Sequence, residues 1–76
     1  RATIFDALQS VDPRLNLHDF RMVKGAGHTN LIFDVVLPSD LKISEKDMLE
    51  KISVIAKLIN PTFECVITFD RDFIGN

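Results

Sequence analysis

The sequence predicts a two-layer α/β sandwich with the element order α-β-β-α-β. Three observations carry this. Two stretches repeat apolar residues at helical spacing, three others alternate them with period two, and proline or glycine separates the blocks. A chain of 76 residues makes one small domain. At that size only about 60% of the unfolded chain's surface is buried on folding, so stability is marginal and oligomerisation would help.

Ile4, Ala7, Leu8 and Val11 fall at i, i+3, i+4 and i+7, which predicts a short amphipathic helix over residues 2–10. Asp12-Pro13 ends it, because a residue before proline avoids the helical region. From Asn16 the period becomes two. Regular alternation puts His18, Phe20 and Met22 on one face and Asp19, Arg21 and Val23 on the other. Gly25-Ala26-Gly27 suits a tight connection. Leu31, Phe33, Val35 and Leu37 then alternate with Ile32, Asp34 and Val36 until Pro38, and the two runs form a β-hairpin. Ser44-Glu45-Lys46-Asp47 has the S-x-x-[DE] pattern of a helix start. Met48, Ile52, Ile55 and Ile59, widened by Leu49 and Ala56, continue the helix until Asn60-Pro61 stops it. Cys65, Ile67 and Phe69 alternate with Val66, Thr68 and Asp70 in a third strand. Two helices on one face of this small sheet give a fold related to the ferredoxin-like group.

Eleven acidic and nine basic side chains give a formal charge of −2, with the basic residues scattered. Such a surface asks for neither nucleic acid nor an anionic membrane. The single cysteine, Cys65, excludes a disulfide within the chain and is expected as a buried, inert thiol, since it alternates with Ile67 and Phe69. No apolar run approaches a membrane span, and no signal-peptide pattern is visible. The first residue is Arg1 and the methionines are Met22 and Met48, so the chain is expected to be a domain of something larger.

Polar residues with chemical potential concentrate near the hairpin and at the end of the last strand. His18 is either a histidine at the core rim or a metal ligand. His28, beside the turn, is expected in solvent. Asp34 interrupts an apolar strand, either as a ligand or on a solvated face. Asp70 and Asp72 share a strand face about 6.5–7 Å apart, either to share a cation or as an exposed, charged strand end. The stretch GAGHTN is followed by a strand rather than a helix, which argues against a phosphate loop. With both histidines near the hairpin, no nucleophile–base pair is plausible, and no enzyme activity is expected.

An α-β-β-α-β module entering its first strand with "HDFR" resembles the cytoplasmic C-terminal domain of the cation diffusion facilitator family. These are membrane transporters that export divalent metals, typically zinc, manganese or iron, in exchange for protons. The matching stretches are "LHDFRM", "LIFDVV", "SEKDMLEKI" and "VITFDRDF", and they span essentially the whole chain. The family pattern is His-Asp-Leu-Arg, then a strand of the type Ile-Asp-Val-His, then a helix, then a last strand ending Ile-His-x-Asp-Pro. The resemblance implies a homodimer at the cytoplasmic face of the membrane, attached to its own transmembrane domain, with metal bound near the dimer interface. Position by position, His18 stands at the family's first histidine. Asp34 or Val36 stands at the second, Asp47 at a helix histidine of some members, Asp70 at the last-strand histidine and Asp72 at the aspartate after it. The implied metal set is therefore His18, Asp34, Asp70 and Asp72. Carboxylates replace most of the histidines, and oxygen-rich ligation suits manganese better than zinc. Two other classes fit the topology: a small-molecule-sensing module of a soluble regulator, and a freestanding metal carrier, which would need a cysteine pair that this chain lacks.

Overall fold

The computed structural model describes residues 3–72, for Asp72 the backbone alone. Its element order is α1 (Ile4–Val11), β1 (Leu17–Lys24), β2 (Thr29–Pro38), α2 (Glu45–Ile59) and β3 (Phe63–Asp72). This is a compact α+β fold with a mixed three-stranded sheet of order β1-β2-β3. β1 runs antiparallel and β3 parallel to the central β2.

Both helices start where a side chain can satisfy an orphan amide. Thr3 Oγ1 accepts from the Asp6 amide at 3.0 Å, so α1 begins at Ile4, two residues later than apolar spacing predicts. Ser44 Oγ does the same for the Asp47 amide at 3.0 Å. The acids Asp6, Glu45 and Asp47 lie in first turns and Lys57 in the last turn of α2, each complementing the helix dipole.

The core lies on one face of the sheet. Leu31, Phe33, Val35 and Leu37 of β2 are buried against Ile4 and Leu8 of α1 and Met48, Ile52 and Ala56 of α2, with Leu15 closing one corner. Cys65, Ile67 and Phe69 of β3 pack against this cluster from their half-buried positions. The other residues of β2, from Asn30 to Val36, point to a face that no described element covers.

Strand β1 departs from simple alternation. Its register with β2 reads His18 to Asp34 and then Arg21 to Ile32, so Asp19 and Phe20 together oppose Phe33. The extra residue is accommodated by Asp19 at φ 56°, a left-handed conformation that aspartate tolerates better than most residues. Phe20 turns back over the core side and stacks on Phe33, with ring centroids 5.9 Å apart. This corrects the sequence-based expectation that His18 shares a face with Phe20 and Met22. The bulge rephases the strand, and His18 lies on the opposite face, the open one.

Two arginines hold the loops in place. Arg14 bridges Asp12 at 2.8 Å and Asp40 at 2.9 Å, joining the α1–β1 corner to the β2–α2 loop. Arg71 donates to the carbonyls of Leu41 and Ile43 in the same loop. At the other end of the sheet, Lys57 Nζ donates to the Phe63 carbonyl at 2.8 Å and to Glu64 Oε2 at 2.7 Å, which fastens the end of α2 to the start of β3.

Candidate functional site

The open face of the sheet carries the candidate site, and the ladder determines its layout. Side chains of residues paired across a ladder emerge on the same face. His18 pairs with Asp34, which in turn pairs with Thr68, so these three form one row across the sheet. Directly opposed residues of an antiparallel pair have Cβ atoms about 4.5–5.5 Å apart, within reach of one shared ion or one hydrogen bond. The next row toward the end of β2 is Val36 and Asp70. Asp70 therefore stands diagonal to Asp34, about 7–8 Å away by sheet geometry. The flanking row on the other side is Arg21, Ile32 and Val66.

His18 and Asp70 are exposed and Asp34 is half-buried. Of the four residues the sequence singles out as ligands, the fold thus brings His18, Asp34 and Asp70 to one face. The side chain of Asp72 lies outside the described residues, and its backbone pairs with Pro38 beyond Asp70. Among the described residues, no three or more His, Cys, Asp and Glu side chains of a single chain are placed to hold one metal ion. Val36, the alternative to Asp34 at the family's second histidine, carries no donor and is exposed on the same face. Asp47 lies in the first turn of α2, on the helix layer, and is separated from this face by the sheet.

The remaining polar candidates resolve simply. His28 is exposed in the turn, as expected, where its ring leans over Gly25. A Cβ on Gly25 would come within 3.1 Å of His28 Cε1. Gly27 takes φ +81°, which completes the connection. Cys65 is half-buried rather than fully enclosed, because β3 is an edge strand, and burial still pushes its thiol pKa up. The hydrogen bond and charge of Lys57 hold the Glu64 carboxyl below its ordinary range.

A second feature was not legible in the sequence. Phe5, Phe20, Met22, Leu31, Ile59 and Phe63 line an open apolar groove of about 380 Å³ between the start of α1 and the hairpin. The bulge contributes to it by sending Phe20 to this side, and Phe5, Phe20, Met22 and Ile59 remain exposed there.

Comparison with protein-family models, with curated proteins and with solved structures finds no match to this chain. Among the described residues no helix is long and apolar enough to cross a membrane.

Proposed function

We propose that this chain is the cytoplasmic, dimerising regulatory domain of a cation diffusion facilitator transporter, and that it has no catalytic activity of its own. The observation that carries the reading is the placement of His18 beside Asp34 on the uncovered face, with Asp70 one row away. The fold order α-β-β-α-β supports it as well. An imidazole and carboxylates are suitable donors for a divalent cation. One chain supplies a partial set, so the site is completed between two copies that face each other. Carboxylates gathered at such an interface repel, and a divalent cation relieves that repulsion. Metal then draws two regulatory domains together and biases the attached membrane domain toward transport. Manganese fits the oxygen-rich set better than zinc.

The test is sedimentation equilibrium and thermal melting of the domain with manganese and with zinc. Metal is expected to shift the chain toward dimer and raise its melting temperature with concentration. His18→Ala and the double change Asp70→Ala with Asp72→Ala should abolish both effects. A wild-type melt unmoved by either metal at millimolar concentration removes the sensing role. A monomer at high micromolar concentration under all conditions removes the dimer as a property of this domain.

The apolar groove favours a second reading, a small-molecule-sensing module. A drop in melting temperature on Phe20→Ala, together with a ligand-dependent rise that this change abolishes, would support it over metal.

A further inference from the structure

Arg71 lies between Asp70 and Asp72 in sequence, yet strand alternation sends it to the helix side of the sheet, opposite Asp70. Its ladder partner is the buried Leu37. The guanidinium reaches the end of β2 and the segment after it and collects three main-chain carbonyls. Nη1 donates to Leu41 O at 2.9 Å and Pro38 O at 3.4 Å, and Nη2 donates to Ile43 O at 2.8 Å. The segment ends at Ser44, which caps α2.

The end of β3 needs such a hold. β3 is an edge strand, laddered on one side only, and the last residue opposite it is Pro38, which has no N–H to give. Strand ends with few backbone bonds open readily. A planar fork with several donors in fixed directions can pin a strand to a loop in a way that a flexible ammonium cannot.

We propose that Arg71 is the positioning residue for the acidic end of the open face. By clamping the 39–44 loop to β3 it keeps the end of the edge strand from fraying, and so holds Asp70 in the place that the ladder gives it beside Asp34. The positioning role rests on the metal reading above; the clamp itself does not.

Arg71→Lys is the informative change, because it keeps the positive charge and loses the fork. Arg14→Ala is the control, since it loosens the same loop from the Asp40 side without touching β3. Amide hydrogen exchange is followed on the metal-free proteins, and manganese affinity is measured by calorimetry. Arg71→Lys is expected to speed exchange of the Leu41 amide, which donates to Pro38 O at 3.1 Å, by about tenfold, as losing one or two hydrogen bonds would. It should also weaken manganese binding by about tenfold, the usual scale for a residue that orients ligands. Arg14→Ala should leave manganese affinity within about twofold, because exposed pairs contribute little. Unchanged exchange in Arg71→Lys overturns the clamp. Faster exchange with unchanged manganese affinity overturns the positioning role. If the wild type takes up no manganese, the metal reading fails and the positioning role with it, and the clamp is then judged on exchange alone.

Discussion

His18 stands directly across the ladder from Asp34 on the open face of the sheet. Regular alternation from Phe20 and Met22 would have placed it on the core side. The one extra residue at Asp19 and Phe20 opposite Phe33 makes the difference, and the left-handed backbone of Asp19 makes the extra residue possible.

The bulge can be tested at Asp19. A β-branched residue tolerates φ 56° poorly, so Asp19→Val should destabilise the domain by about 1–2 kcal/mol, whereas Asp19→Gly should be neutral or mildly stabilising. Urea melts of both variants decide this. Equal stability of the valine and glycine variants would contradict a left-handed Asp19. Deleting Asp19 should restore a regular register that still leaves His18 opposite Asp34, readable from cross-strand NMR contacts.

The core prediction concerns Phe33, which is fully buried and carries the Phe20 stack. Phe33→Ala should cost about 3–5 kcal/mol. That is most of what so small a domain has, so the isolated chain should lose its cooperative melt. Val66→Ala on the open face, half-exposed, should stay within about 0.5 kcal/mol in a monomer. A larger loss that grows with protein concentration would locate a subunit contact on that face.

The caps offer a milder test. Ser44→Ala removes the hydroxyl that accepts the Asp47 amide and should cost about 1 kcal/mol, and Thr3→Ala should cost about the same for α1. Ser44→Asp should retain most of the stability. Loss of the same amount with aspartate would show that the hydroxyl is doing something other than capping.

Acid stability should depend on Asp12. The side-chain hydrogen bond from Arg14 first, and the Arg14 backbone amide next, lower its pKa from 3.8 to about 2. A carboxyl whose folded pKa is depressed stabilises the fold above its unfolded pKa and loses that contribution as pH falls through the folded value. The Asp12 contribution should therefore be intact above about pH 4 and fade toward pH 2. Asp12→Asn should flatten the stability profile across that window and change little in shape above it. An identical acid limb in wild type and variant would count against the pair.

Cys65 should react slowly. Burial chiefly raises its pKa, so little thiolate is present at neutral pH. Iodoacetamide should modify it much faster in urea than in buffer, and similar rates in both would mean that the edge of β3 opens freely.

Much of this molecule was determined locally. The helical stripe from Met48 to Ile59, the alternation of Leu31, Phe33, Val35 and Leu37, the turn glycines and the Ser44 cap each express a backbone preference that depends on residues only a few positions away. Local pattern therefore sufficed for the order of elements and for the buried face of β2. It also placed Asp34 and Asp70 on the face opposite the core. Three things needed the tertiary structure. The face taken by His18 depends on where one unpaired residue enters a ladder, and no single-strand pattern records a register set by another strand. The role of Arg71 depends on carbonyls 28 to 33 residues away, brought together by the parallel crossover. The apolar groove exists because α1 covers only part of the hairpin, leaving Phe20 and Met22 beside Phe5 and Ile59; packing between elements decides such coverage, and the periodicity within each element carries no record of it.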